Sequence, residues 1–117
     1  MCDVISIYRS QEEKNEIVAS ISKLVNLEKP TIILGDVNLN LLKDIKHPML
    51  DYLDVCNFSQ LVQCSTHQQG GLLDPVFASH HFQMHEIDIN QKCVYYSDHD
   101  LIHVNINFQN IDNNLED

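Results

Sequence analysis

The chain has 117 residues, 44% of them hydrophobic, and carries 17 Asp and Glu against 7 Lys and Arg for a formal charge of −10. That length gives one domain with a modest core, and the acidic balance argues against a chain that grips DNA or RNA alone, because such binding rests on a basic surface. No apolar run approaches the ~20 residues of a membrane span, and Met1-Cys2-Asp3 opens no basic-then-apolar leader, so an intracellular protein, cytoplasmic or nuclear and without a signal peptide, is expected.

Val4 to Tyr8 is β-branched and aromatic and predicts a buried strand. Ser10 and Glu13 have capping-box spacing. Ile17, Ile21, Leu24 and Val25 follow on one helical face, so a helix is expected to run to about Leu27, ahead of Lys29-Pro30. Thr31 to Leu34 is a short continuous apolar run, which predicts a strand covered on both faces. Strand, helix and strand within about 30 residues form a βαβ-like unit.

Pro48 suits the first turn of a second helix, whose apolar face is Met49, Leu50, Leu53 and Cys56, with Asn57 at a left-handed exit. Leu61-Val62 and Leu72 to Ala78 are expected as strands, separated by a polar loop ending in Gly70-Gly71. Val94 to Tyr96 and Leu101 to Phe108 form an expected last pair linked by Ser97-Asp98-His99-Asp100. Ile102, Val104 and Ile106 alternate with His103, Asn105 and Asn107, giving one buried and one wet face. Residues 109–117 are acidic and polar and expected to be disordered.

The four cysteines, Cys2, Cys56, Cys64 and Cys93, are unevenly spaced and contain no C-x-x-C pair, so reduced and mostly buried thiols are expected. A zinc site can be drawn from His80, His81, His85 and Cys93, but no second ligand pair follows in a known pattern. Solvated loop histidines are the simpler reading.

Three polar clusters stand at the ends of apolar runs: Gly35-Asp36-Val37-Asn38, Leu72-Leu73-Asp74 and Ser97-Asp98-His99. Each alone reads as a turn. Together they collect what phosphodiester chemistry needs. In extended geometry Asp36 and Asn38 point to one side, where a carboxylate can take a proton from water and an amide can donate to a phosphate oxygen. Adjacent strand residues face opposite ways, so Asp98 is not expected to orient His99. Asp74 is the candidate, and an imidazole held through one ring nitrogen has a fixed tautomer and favours its protonated form. Asp98 is then free for a metal or for the attacking water.

Tyr8 closing a strand, Leu34-Gly35-Asp36-Val37-Asn38, Leu73-Asp74-Pro75-Val76-Phe77 and Ser97-Asp98-His99 resemble the endonuclease/exonuclease/phosphatase superfamily, the DNase-I-like fold. Ile7-Tyr8-Arg9-Ser10, the run from Gly35 to Leu42, and Thr66-His67 ahead of Leu72-Leu73-Asp74 look most like endonuclease domains carried by retrotransposons and other mobile elements. The likeness covers Val4 to about Phe108, and the motifs are specific in combination.

The resemblance implies an α/β (α+β) four-layer sandwich, of which residues 1–108 match the C-terminal half, about one sheet with its flanking helices. It implies magnesium-assisted phosphodiester hydrolysis, with DNA or another phosphodiester as substrate. Asp36 is expected to activate water, Asn38 and Tyr8 to bind the scissile phosphate, His99 oriented by Asp74 to stabilise charge, and Asp98 to lie at the metal; Cys64 and Cys93 become core residues. The family's Asn and principal metal-ligating Glu belong to its other half and have no match here, and Pro75 stands where many members have His. The isolated chain is therefore expected to bind magnesium weakly and cleave little, and to self-associate or take a partner through an exposed sheet face. Two alternatives are a catalytically dead remnant serving as an interaction module, and a phosphatase, deadenylase or lipid phosphodiesterase branch of the same superfamily.

Overall fold

The computed structural model describes residues 2–43 and 45–107; the expected disordered tail lies outside them. Strand β1 (Asp3–Tyr8) leads through helix α1 (Ile17–Leu24) into β2 (Thr31–Asp36), and β1 and β2 pair in parallel from Asp3↔Thr31 to Tyr8↔Asp36. This is the expected βαβ-like unit. Helix α2 (Pro48–Val55) follows, then β3 (Phe58–Gln60) and β4 (Val76–Ser79), which run antiparallel to one another, β4 also pairing antiparallel with β2. The four strands lie in the order β1-β2-β4-β3. A turn of 3-10 helix (Met84–Glu86) precedes β5 (Ile87–Lys92), which forms a separate two-stranded antiparallel sheet with β6 (Leu101–Ile106).

The alternation of β2 organises the core. Ile33 faces a cluster containing Ile17 and Ile21 of α1, Met49 and Leu53 of α2, Ile5 and Phe77. Its neighbour Ile32 faces the opposite cluster, with Val62, Leu72, Val76 and Ala78, against which Ile87 and Ile89 of β5 and Ile102, Val104 and Ile106 of β6 pack. The helices thus cover one face of the larger sheet and the β5–β6 pair covers part of the other. Ile32 and Ile33 are both fully buried, and each contributes about 1.5–3 kcal/mol of transfer free energy.

Two sheets replace the expected single one. Ile87 and Ile89 alternate with Asp88 and Asn90, a half-buried pattern that needs an apolar neighbour, and it finds one over β2 and β4. The partner of β6 is therefore β5, not Val94 to Tyr96. Those residues belong to the connection between the strands, where Tyr95 and Tyr96 are exposed and meet edge to face. β1 is an edge strand instead of a buried one: Ile5 is buried, while Val4 and Tyr8 lie open to solvent.

Other differences are local. The α1 helix starts seven residues after Ser10, and the Glu13 carboxylate accepts from the Ile17 N–H at 2.8 Å, so Glu13 satisfies a free helical amide that the expected capping box assigned to Ser10. The helix ends at Leu24, because Val25 is already extended. The third strand covers Phe58–Gln60 ahead of Leu61, and the fourth begins only after Pro75. α2 begins at Pro48 as expected, with the ring of His47 accepting from the Met49 N–H, and Asn57 takes the left-handed exit at φ 62°. All four cysteines are free; Cys2 and Cys56 are half-buried, but Cys64 and Cys93 are exposed and are not core residues. Among the described residues no helix is long and apolar enough to cross a membrane.

Candidate active site

Asp36 is the last residue of β2, and its position depends on a glycine. Gly35 has φ +141°, and a Cβ there would stand 1.8 Å from the Ile7 carbonyl oxygen. Only glycine lets β1 and β2 approach this closely at the point where the chain turns. The next residues form a tight turn: the Asn38 N–H donates to Asp36 Oδ1 at 2.9 Å, and Asn38 itself is left-handed, at φ 52°. The expected extended geometry, with both side chains on one side, is thus replaced by a turn closed by the Asp36 carboxylate. The Asn38 side-chain amide donates to the carbonyl of Arg9. Buried Arg9 donates from Nη1 to the Val37 carbonyl at 3.1 Å and from Nε to Glu13 Oε1 at 3.1 Å, so the ends of β1 and β2 are fastened together.

A second segment brings Asp74 alongside. The Val37 N–H donates to the Leu73 carbonyl and the Leu41 N–H to that of Leu72, so residues 37–41 run beside 72–73. Asp74 is then held by Thr66, which is fully buried. Thr66 Oγ1 donates to Asp74 Oδ2 at 2.7 Å and accepts from the N–H groups of Leu73 (2.9 Å) and Asp74 (3.2 Å). All the hydrogen-bonding capacity of this hydroxyl is used.

The third segment is pinned to the same loop. The N–H of Gln68 donates to the Asp98 carbonyl and that of Asp100 to the Thr66 carbonyl, making His67 and His99 an isolated antiparallel bridge. Gln91 of β5 adds bonds to the Ser65 carbonyl and, at 2.7 Å, to Asp100 Oδ2. The Ser97 hydroxyl accepts from the His99 N–H, so Ser97-Asp98-His99 is a turn. Asp98 and His99 therefore do not face opposite ways as strand neighbours would: Asp98 Oδ1 lies 4.0 Å from His99 Nε2, and Asp98 Oδ2 lies 3.2 Å from His67 Nε2.

These three segments place His99 between carboxylates. Its Nδ1 lies 2.7 Å from Asp74 Oδ2, and its Nε2 lies 3.7 Å from Asp36 Oδ2. An ionised carboxylate only accepts, so Nδ1 carries hydrogen. The hydrogen bond to Asp74 raises the imidazole pKa above its ordinary value; burial opposes this, and the charges of Asp74, Asp36 and Asp98 reinforce it. These surroundings favour the protonated ring more than water does.

Of the residues singled out in the sequence, the structure brings Asp36, Asp74, Asp98 and His99 together. Asn38 is adjacent through its turn. Tyr8 sits opposite Asp36 in the β1–β2 register but makes none of these contacts; it is 73% exposed and borders the cleft between β1 and α1. Thr66 and His67 carry site contacts that residue-type reasoning did not assign to them. Their signal was a hydroxyl and an imidazole directly before the loop leading to Asp74. His80 and His81 stack on each other at 4.2 Å, with His81 Nδ1 2.9 Å from the Ser79 hydroxyl. Among the described residues the groups able to converge on a cation are Asp36, Asp74 and His99, and His67, Asp98 and His99.

A cleft of about 190 Å³ between the sheets touches Asp74 and is shared with Gly35, Asp100 and Ile102. That is smaller than the ~300–1,000 Å³ of a small-molecule pocket. Comparison of the chain with protein-family models, with curated proteins and with solved structures gives no match.

Proposed function

We propose that this site hydrolyses phosphodiesters with magnesium, in the manner of an endonuclease, and that the chain is the C-terminal part of a DNase-I-like domain of mobile-element type. The observation that carries the reading is His99 held by Asp74 on one ring nitrogen and facing Asp36 with the other, 2.7 and 3.7 Å away. An imidazole so oriented and protonated can donate Nε2–H to a phosphate oxygen as charge develops. Asp36, with Oδ1 engaged by the Asn38 amide and Oδ2 toward His99, can accept a proton from water, a role worth about 10²–10⁴-fold in rate. One Asn38 side-chain hydrogen is taken by Arg9, and the other remains for a phosphate oxygen.

The donor set suits a hard cation in part. Asp98 and Asp36 offer carboxylate oxygens, as magnesium prefers, and Asp98 is exposed enough to leave room for bound water. When bound, magnesium polarises a phosphate oxygen and neutralises the leaving group. Two carboxylates and waters make a weak site, so full activity on this reading needs a further carboxylate from outside these residues.

The test is magnesium-dependent nicking of supercoiled plasmid by the 117-residue chain and by the longest encoded polypeptide that contains it. The reading expects cleavage by the longer polypeptide that is lost with Asp36→Ala or His99→Ala, and little by the 117-residue chain. No cleavage by the longer polypeptide, or cleavage indifferent to Asp36→Ala, overturns it. A second reading, an interaction module without catalysis, draws on the charge of −10 and on the exposed Val4 and Tyr8 of edge strand β1; it expects the nicking assay to be blank in both forms.

A further inference from the structure

We propose that His67, Asp98 and His99 form a binding site for a borderline transition-metal ion such as Zn²⁺, distinct in ligand chemistry from the magnesium site of the hydrolytic reading. One ligand atom from each residue lies within 4.8 Å of the other two. The Asp98 carboxylate sits between the rings, 3.2 Å from His67 Nε2 and 4.0 Å from His99 Nε2, and the two imidazoles stand edge to face, 89° apart. Ligand atoms bound to one tetrahedral zinc at about 2.0–2.1 Å are themselves roughly 3.3 Å apart. Closing this set onto an ion takes side-chain adjustments of about an ångström, on a loop whose Asp98 is exposed.

Two imidazoles and a carboxylate are a zinc-type set, whereas magnesium keeps to oxygen ligands. The surroundings also fit. His99 holds its other nitrogen, Nδ1, on Asp74, and Asp74 is held by Thr66, which is the outer-shell arrangement that fixes a ligating imidazole and raises its basicity. Asp36 Oδ2, 3.7 Å from His99 Nε2, is placed to supply a fourth ligand or to hold a bound water. One bond opposes binding: His67 Nδ1 accepts from the Gln69 N–H at 3.1 Å, so Nε2 now carries the ring hydrogen. Metal at Nε2 moves that hydrogen to Nδ1 and turns the amide of exposed Gln69 to water.

An ion at His99 Nε2 removes the N–H that a phosphate oxygen would meet. Under the hydrolytic reading, zinc occupancy and turnover therefore exclude one another. The binding itself does not depend on that reading.

The experiment uses the 117-residue chain with Cys64→Ser and Cys93→Ser, which removes the two exposed thiols as competing ligands. ZnCl₂ is titrated by calorimetry, CoCl₂ by visible absorption, and imidazole nitrogens are followed by long-range ¹H–¹⁵N NMR. Saturable binding of one ion per chain is expected, with the ring resonances of His67 and His99 shifting together while those of His80, His81 and His103 stay put, and with excess MgCl₂ failing to displace it. His67→Gln is expected to lose about tenfold or more in affinity as one ligand goes, and Asp74→Asn about 10–100-fold. Absence of saturable binding, shifts at other histidines in place of these two, or unchanged affinity in His67→Gln overturns the proposal. The NMR readout uses unmutated histidines, so it decides even if His67→Gln fails to fold. No phosphodiester is present, so a negative result here leaves the hydrolytic reading standing.

Discussion

Asp74 and His99, 25 residues apart in sequence, share a 2.7 Å hydrogen bond, and the same carboxylate oxygen accepts the Thr66 hydroxyl at 2.7 Å. One oxygen of Asp74 therefore fixes both a buried threonine and the imidazole at the centre of the site. The behaviour expected of the molecule follows from that junction and from the close approach of β1 and β2.

Thr66→Val keeps the shape and removes the hydroxyl that serves Asp74 and the amides of Leu73 and Asp74. Leaving these groups unsatisfied at a fully buried position is expected to cost about 1–3 kcal/mol, read as a lower urea midpoint at unchanged slope. Thr66→Ser restores the bonds and should recover most of the loss. A larger loss in Thr66→Ser than in Thr66→Val would show that the methyl group, not the hydroxyl, matters here.

His99 titrates above its ordinary 6.5 because of its hydrogen bond to Asp74, with the charges of Asp74, Asp36 and Asp98 adding to it against burial. A folded pKa above the unfolded one means that the protonated ring stabilises the fold. That contribution is fully present below about pH 6.5, the unfolded histidine value, and is lost as pH rises through the raised value. Urea midpoints measured across this window should fall for the native chain and fall less for Asp74→Asn. Identical profiles would remove Asp74 as the principal cause.

Gly35→Ala places a methyl group against the Ile7 carbonyl in a backbone conformation that side chains rarely adopt. A strain of this kind alone costs about 1–3 kcal/mol, and separating β1 from β2 adds to it. Loss of cooperative unfolding, or a midpoint lowered by at least that amount, is expected. A native-like midpoint would mean that the β1–β2 register is not held in solution.

In the nicking assay with the longer polypeptide, Asp98→Asn and Asp74→Asn should separate. On the hydrolytic reading Asp98 gives its carboxylate to the cation, so its loss is expected to raise the magnesium concentration for half-maximal rate. On the same reading Asp74 acts through His99, so its loss should lower the maximal rate, within about the 10²–10⁴-fold range of proton-transfer groups, at an unchanged magnesium requirement. The reverse pattern would exchange their roles.

The parts of the fold that sequence made legible were those in which one local pattern dominates. The run Thr31 to Leu34, bracketed by Pro30 and Gly35, could only be a covered strand, and Pro48 announced α2. β5 escaped notice because Ile87 and Ile89 are only two apolar residues among polar ones, while Val94-Tyr95-Tyr96 offered a stronger but misleading β-like run. At the site, pairing His99 with Asp74 was readable from the rule that strand neighbours diverge, although the structure reaches it through a turn where that rule does not apply. Asn38 illustrates the limit: its left-handed backbone depends on the Asp36 carboxylate closing the turn. Thr66 and His67 stood out in the sequence only through the resemblance; their contacts, to partners 8 and 31 residues away, follow from how the loops fold together.

The bridge between His67 and His99 has a kinetic consequence. Residues 65–68 and 97–100 lie outside the named strands and are joined to each other by the amides of Gln68 and Asp100, with Gln91 clamping both from β5. Neither segment can swing away without freeing the other. In deuterated buffer these two amides should thus exchange at matching rates, as one opening unit. The two imidazoles, Thr66 and the Asp98 carboxylate then appear and disappear in a single event.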